Sequence, residues 1–279
     1  MITFLFWNIK NNPIQSIIAR LALRHEVDVI MLAECDIEVD TLLSELNNLT
    51  GRMYYHVSKI GCERIEIFTR FPIEFITPIL ESDKYTICHL KLPNAVDILL
   101  SVAHLQSKLH IEKVDQDSIS RDFSESIKEA EKNISHSRTV VFGDLNMSPF
   151  DGGVIMASGL NATMSRFIAQ EKSREVRDKY YPFFYNPMWN FLGDFNSDPS
   201  VPPGTYYYVK STEEDIRWYI LDQVLLRSEL LTYFNIKDLM ILTSDGSDSF
   251  LTKSGIPKKS TSDHLPLILK LNLNYITRG

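Results

Sequence analysis

Short blocks of uninterrupted apolar residues recur along this chain, and most of them stop abruptly on a polar side chain. ITFLFW runs into Asn8, VIMLA into Glu34, ILLSVA into His104, TVVFG into Asp144 with Asn146 two residues on, and WYIL into Asp222. A sixth polar group, the pair Asp263 and His264, stands directly before LPLILKL. Apolar runs of this length read as strands buried on both faces. In layered α/β architectures functional groups gather just beyond strand ends, where the buried run stops and the backbone turns toward solvent. Termini scattered along the chain can therefore converge on one cleft.

Between the blocks the period changes. Residues 2–7 form a first strand, and Pro13 suits the first turn of a helix whose apolar positions Ile14, Ile17, Ile18 and Leu21 recur at helical spacing. Residues 27–33 return as a second strand, and a helix over 39–49 ends before Gly51. Runs at 64–68, 75–80, 85–92 and 97–103, punctuated by prolines, read as consecutive strands. A polar helix over 115–133, a strand at 139–142 and short helices within 152–167 follow. Residues 170–217 have no legible period apart from a strand at 206–209, and further strands fall at 218–226, 239–242 and 265–273. This order predicts an α/β (α+β) fold of two packed sheets covered by helices.

Length and composition narrow the class. With 279 residues, 44% of them hydrophobic, the chain can bury a large core as a single domain spanning residues 1–279. No apolar stretch approaches a membrane span, and the chain opens on a strand instead of a basic region with a cleavable apolar segment, so a soluble, unprocessed protein is expected. Cys35, Cys62 and Cys88 form no CxxC pair or zinc spacing, which fits reduced thiols and a cytoplasmic setting. A formal charge of -7 excludes a protein that coats nucleic acid by bulk electrostatics. It leaves room for carboxylates gathered around a divalent cation, with local Lys and Arg gripping phosphate. Arg64, Arg70, Lys108, Lys113, Lys258 and Lys259 are the candidates, each more often a solvated surface charge. No GxSxG or P-loop pattern occurs.

Glu34, Asp263 and the amide of Asn8 supply oxygen ligands alone, a hard donor set suited to Mg²⁺, with Mn²⁺ an acceptable substitute and zinc disfavoured. Two histidines, two carboxylates to orient them and one metal meet the needs of phosphodiester hydrolysis: a positioned water, charge neutralisation and help for the leaving alkoxide. GDLN at 143–146 echoes GDFN at 193–196. The first follows a β-branched strand, so Asp144 and Asn146 are preferred over Asp194 and Asn196, which read as a turn. Bland readings stand beside these: a strand cap for Asn8, a turn for Asp144 and Asn146, an ion pair with Arg217 for Asp222. His25, His56, His89, His110 and His136 match no motif, and Tyr206, Tyr207 and Tyr208 suit either base stacking or packing.

The segments FWNIK, MLAECD, VAHLQS, VVFGDLNMSP, WYILDQVLL and STSDHLPL resemble, in order, the motifs of the endonuclease/exonuclease/phosphatase superfamily, the DNase I-like fold. The resemblance implies a four-layer α/β/β/α sandwich of two mixed sheets and a Mg²⁺-dependent phosphodiesterase acting on nucleic acid, DNA or RNA. The same fold also serves small-molecule and lipid-headgroup phosphoesterases of the inositol phosphate phosphatase and sphingomyelinase types. It implies Glu34 as principal metal ligand beside Asn8 and Asp263. It further implies His264 on the scissile phosphate with Asp222 orienting its ring, Asp144 on the attacking water and Asn146 on a phosphate oxygen. His104 matches the histidine of the DNase I and sphingomyelinase branches and weighs against an abasic-site repair enzyme. Glu63, in ERIEIFTR, is implied as its partner. The chain departs from the pattern at Lys10, where several branches have an acidic residue and glycine, and at Gln223, where Asp-Tyr is common.

Overall fold

A computed structural model describes residues 1–107, 113–193, 201–210, 213 and 215–274, without the side chains of 113 and 114. Lys108, His110, Asp194 and Asn196, and the side chain of Lys113, lie outside the described residues.

One sheet has the strand order Phe234–Ile241, Leu267–Leu271, Ile2–Asn8, Val29–Ala33, Ile65–Thr69, Tyr55–His56. The other runs Ile76–Ser82, Tyr85–Leu90, Ile98–His104, Thr139–Asp144, Asp222–Arg227, Phe184–Tyr185, Ala162–Thr163. Both are mixed, as expected. Strand Ile2–Asn8 runs parallel to Val29–Ala33 and antiparallel to Leu267–Leu271, and Thr139–Asp144 runs parallel to Ile98–His104 and antiparallel to Asp222–Arg227.

Alternation along the strands divides the core into three layers. Phe4, Phe6, Met31 and Ile67 meet Leu100, Val102, Phe142 and Val224 between the sheets. The opposite face of the first sheet, with Leu5, Trp7, Ile30 and Leu32, packs on the helices Gln15–His25 and Val39–Thr50 through Ile18, Leu21, Leu42 and Leu46. The opposite face of the second sheet, with Ile87, Leu99 and Val141, packs on helix Lys113–Ile134 through Phe123, Ile127 and Ala130. Four layers result, and burial on both faces is what makes the strands read as continuous apolar runs.

Element boundaries moved where local signals were weak. Pro13 precedes the helix, which starts at Gln15. The expected strand at 218–226 is interrupted, with Trp218–Tyr219 pairing to Tyr206–Tyr207 while Asp222–Arg227 joins the main sheet. Residues 170–217 contain a hairpin, Ser173–Val176 with Lys179–Pro182, whose half-exposed and exposed positions give no period-2 pattern. Among the described residues no helix is long and apolar enough to cross a membrane.

Far from the strand tips that carry the motifs, Asp97 ties the second sheet together. His89 Nε2 lies 3.0 Å and His136 Nε2 3.1 Å from its Oδ2, while Arg138 donates to its other oxygen and to its backbone carbonyl. Burial alone would raise the Asp97 carboxyl, but these donors outweigh it and hold it at about 2. A depressed carboxylate contributes stability above its unfolded pKa and loses it as pH falls through the folded one. Asp97→Asn should therefore cost on the order of 1 kcal/mol at neutral pH in urea unfolding once solvent screening is allowed for, with the deficit fading toward pH 2; a deficit that persists undiminished in acid would show that the effect is not electrostatic.

Candidate active site

The site follows from strand direction. A parallel strand's C-terminal end and an antiparallel neighbour's N-terminal end lie at the same rim, so residues that close one run meet residues that open another. His104, Asp144 and Asp222 are in register across the second sheet, and Asn8 is paired with Ala33, the residue before Glu34, across the first. Gly143 makes the close register possible, because a Cβ there would meet the Ala103 carbonyl oxygen at 2.2 Å. Glu34 and Asn146 leave their strands in left-handed backbone, φ 47° and 52°, a conformation side-chain-bearing residues adopt only where surroundings enforce it.

At that rim the structure brings eight of the nine sequence candidates together. Asn8 Nδ2 donates to Glu34 Oε1 at 3.0 Å and to Asp144 Oδ2 at 3.1 Å. His104 Nε2 lies 3.4 Å from Glu34 Oε1 and 3.8 Å from Asp144 Oδ2. Asn146 donates from its backbone to Asp144 Oδ1 at 3.0 Å and from its side chain to the Leu105 carbonyl at 2.9 Å. His264 Nδ1 and Asp222 Oδ2 are 2.9 Å apart, and His264 Nε2 sits 3.8 Å from Asp144 Oδ2. Burial would lower the His264 imidazole, yet Asp222 and Asp144 outweigh it and push it up to about 10, while burial pushes the Asp222 carboxyl up as well, so the two share a proton. Atoms of Asp144, Asp222 and His264 lie within 4.8 Å of one another, a spacing that could hold a metal ion.

Three candidates have surroundings the sequence did not indicate. Asn8 Oδ1 accepts the Lys10 backbone N–H at 3.1 Å, and its Nδ2 faces the carboxylates. Asp263 is paired with the Lys10 ammonium. Glu63 is not with His104: it lies exposed in the turn before Ile65–Thr69, where buried Cys62 takes the inward position, and His104 Nδ1 has no hydrogen-bond partner among the described residues. The bland pairing of Asp222 with Arg217 does not form either; Arg217 turns to Asp215. Cys35 is no nucleophile, since burial pushes its thiol up to about 11.

The rim opens into a cavity of about 900 Å³. Its floor holds Glu34, His104, Asp144 and His264, one wall is aromatic with Phe150, Tyr206, Tyr208 and Tyr219, and Lys10, Arg64 and Lys210 are its cations. Of the basic candidates among the described residues only Arg64 lines it; Arg70 pairs with Asp28, and Lys258 Nζ is spent on the Ser249 carbonyl at 2.7 Å. Residues given no role at the site by the sequence, Ser262 and Trp7, together with Tyr206 and Gln223, position the rest. Ser262 Oγ donates to the Asn8 carbonyl at 2.7 Å and accepts from His264 N at 3.0 Å, and Trp7 Nε1 donates to the His264 carbonyl at 3.0 Å. The Tyr206 ring packs on that of His264 at 4.6 Å. Gln223, fully buried, donates to the Met147 carbonyl at 2.6 Å, anchoring the loop after Asp144. The serine two residues before histidine was a usable turn signal; the aromatic packing left none.

No family model matches the sequence, and no curated protein matches it. Solved structures do. An endonuclease/exonuclease/phosphatase family protein from Leptotrichia buccalis is 15% identical, with a TM-score of 0.55 over 98% of this chain and 100% of that one. The catalytic domain of human Nocturnin with bound sulfate is 14% identical, TM-score 0.55, over 97% and 94%. An AP endonuclease from Archaeoglobus fulgidus is 13% identical, TM-score 0.55, over 98% and 100%. At such identities the likeness concerns architecture: the chain has the DNase I-like fold of the endonuclease/exonuclease/phosphatase proteins.

Removing one member of a buried ion pair strands the other's charge. Asp222→Asn should cost about 3 kcal/mol, and a double-mutant cycle with His264→Asn, read by urea unfolding, should recover at least about 1 kcal/mol of coupling; strictly additive losses would mean that the ring does not depend on Asp222.

Proposed function

We propose that this protein is a Mg²⁺-dependent phosphodiesterase that hydrolyses nucleic acid by in-line attack of water, without a covalent enzyme intermediate. The observation that carries the reading is the charge left at the rim. However its proton is shared, the buried Asp222–His264 pair is neutral as a unit, and so is Lys10 with Asp263. Glu34 and Asp144 remain, two carboxylates on one amide group, and they call for a divalent cation. Hard oxygen donors suit Mg²⁺ or Mn²⁺, with Glu34, 36% exposed to the cavity, as the principal ligand. When bound, such an ion neutralises phosphoryl oxygens and stabilises the leaving alkoxide.

The chain's own residues do the rest. Asp144, its Oδ1 fixed by the Asn146 N–H, holds the attacking water in line and accepts its proton. The His264 imidazolium, oriented through Nδ1 by Asp222, presents Nε2–H to a non-bridging oxygen as negative charge develops and stands ready to protonate the leaving oxygen. Asn146 and His104 contact the phosphate from the other side. The reading is in keeping with neighbours such as the Archaeoglobus AP endonuclease and the sulfate-bound Nocturnin domain. Three free cysteines fit a cytoplasmic protein, and continuous core layers fit one domain.

The second reading is a small-molecule or lipid-headgroup phosphoesterase of the inositol phosphate phosphatase or sphingomyelinase type. A cavity of about 900 Å³ in a chain of charge -7 favours it. A panel of single- and double-stranded DNA, RNA, phosphoinositides and bis-p-nitrophenyl phosphate, with Mg²⁺ or EDTA, separates the two. Turnover should need the metal, and Glu34→Gln or His264→Ala should each lower kcat about 10³-fold; activity indifferent to EDTA sinks the metal role, and hydrolysis confined to small diesters sinks the nuclease.

A further inference from the structure

Lys10 stands where several branches of the resembling family carry an acidic residue, and the fold commits considerable structure to placing it. Lys10 and Asn11 are both left-handed, φ 51° and 55°, with no glycine to ease the bend. The bend is held from both sides. Lys10 N–H donates to Asn8 Oδ1 at 3.1 Å, Asn11 N–H to the Glu34 carbonyl at 2.7 Å and Asn12 N–H to the Ile9 carbonyl at 3.0 Å. Asn12 Nδ2 then reaches the Lys259 and Thr261 carbonyls, each at 3.3 Å, zipping this turn to the loop that presents Asp263 and His264. A side chain wanted only for solubility needs none of this.

The ammonium so positioned meets Asp263, which is 15% exposed, while Lys10 itself remains 48% exposed. Both line the cavity beside Glu34, Asp144 and His264. Among the described residues Asp263 is the only hydrogen-bonding partner of Lys10 Nζ, and an ammonium has three N–H donors. The others are free to face the cavity that Lys10 lines with Glu34, Asp144 and His264.

We propose that Lys10 is a built-in cation of the site. Its ammonium occupies Asp263, withdraws that carboxylate from the metal's coordination, and donates to a phosphoryl oxygen of the substrate. This rests on the phosphodiesterase reading for the substrate contact, though not for the competition between ammonium and metal. The consequence is a site that holds its divalent ion chiefly through Glu34, loosely, and supplies part of the electrophilic charge from the chain. A lone exposed ion pair is worth little to stability. Here the pair decides which carboxylates remain available.

Calorimetric titration of Mn²⁺ into the metal-free full chain tests the competition without turnover. Lys10→Met should bind Mn²⁺ at least about tenfold more tightly than the wild type, because Asp263 is released, while Lys10→Arg should bind as the wild type does. Asp263→Asn should change wild-type affinity less than about twofold, yet erase the gain when added to Lys10→Met. Equal affinities in wild type and Lys10→Met, or a tenfold loss from Asp263→Asn alone, would overturn the proposal. At saturating Mn²⁺, Lys10→Met should lower kcat on bis-p-nitrophenyl phosphate about 10- to 100-fold; an unchanged kcat overturns the substrate contact. A wild type that hydrolyses no diester refutes the proposed function and leaves the calorimetric comparison to be decided by itself.

Discussion

Two carboxylates drawn to a single amide group set the terms for the whole site. Glu34 and Asp144 both accept from Asn8 Nδ2, and Asp144 is almost wholly buried, so solvent screens their repulsion only from the Glu34 side. Nothing in the local sequence near either residue would hold them so. What holds them is the packing of two sheets whose facing side chains fill one layer, Phe4 and Phe142 among them with tilted rings 5.6 Å apart. Because the strands are interior and their registers fixed, the backbones that carry the two carboxyl groups have no low-cost way to part. The protein answers the accumulated charge with an imidazolium and an ammonium, and what remains has the magnitude a divalent cation neutralises.

That arrangement explains why the site was legible in the sequence as a set of endpoints. A strand buried on both faces is apolar at every position, so its run ends where burial ends, and the first polar residue marks the rim. Asn8, Glu34, His104 and Asp144 end parallel runs; Asp222 and His264 stand at the heads of antiparallel ones. Strand direction reconciles the two kinds of position, since both fall at the same edge. The helices were equally readable, because each has one apolar stripe over a sheet, as Ile18, Leu21 and Ala22 show on one side and Phe123 and Ile127 on the other.

Hydrogen-bond partners were much less legible. Trp7 Nε1 reaches the His264 carbonyl across 257 positions of chain, and Asp222 finds His264 rather than the nearby Arg217. A donor's choice among acceptors is settled by tertiary placement, which no spacing rule encodes. Glu63 illustrates the cost: it lies two residues before a strand whose start is paired beside the site, but the chain turns there and Cys62 takes the buried position. Residues 170–217 were opaque for another reason. Their hairpin is exposed on both faces, so the alternation that identifies a strand is missing.

The same contrast separates chemistry from selection. The floor of the cavity is built on strand ends that packing holds rigid, whereas its aromatic wall comes from turns and two-residue strands, with Phe150 after Asp144 and Tyr206, Tyr208 and Tyr219 around a short pairing. Tyr206 touches both regimes, since its ring lies on His264 and its backbone bridges to that residue. Charge divides in a similar way. A chain of net charge -7 gains nothing from long-range attraction to a polyanion. Charges farther apart than a Debye length of about 8 Å are screened, so local cations count, and among the described residues those at the cavity are Lys10, Arg64 and Lys210. On the proposed reading, recognition would run through a few phosphates and whatever the aromatic wall accepts, and substrate identity would be written in that wall rather than in the motifs at the strand ends.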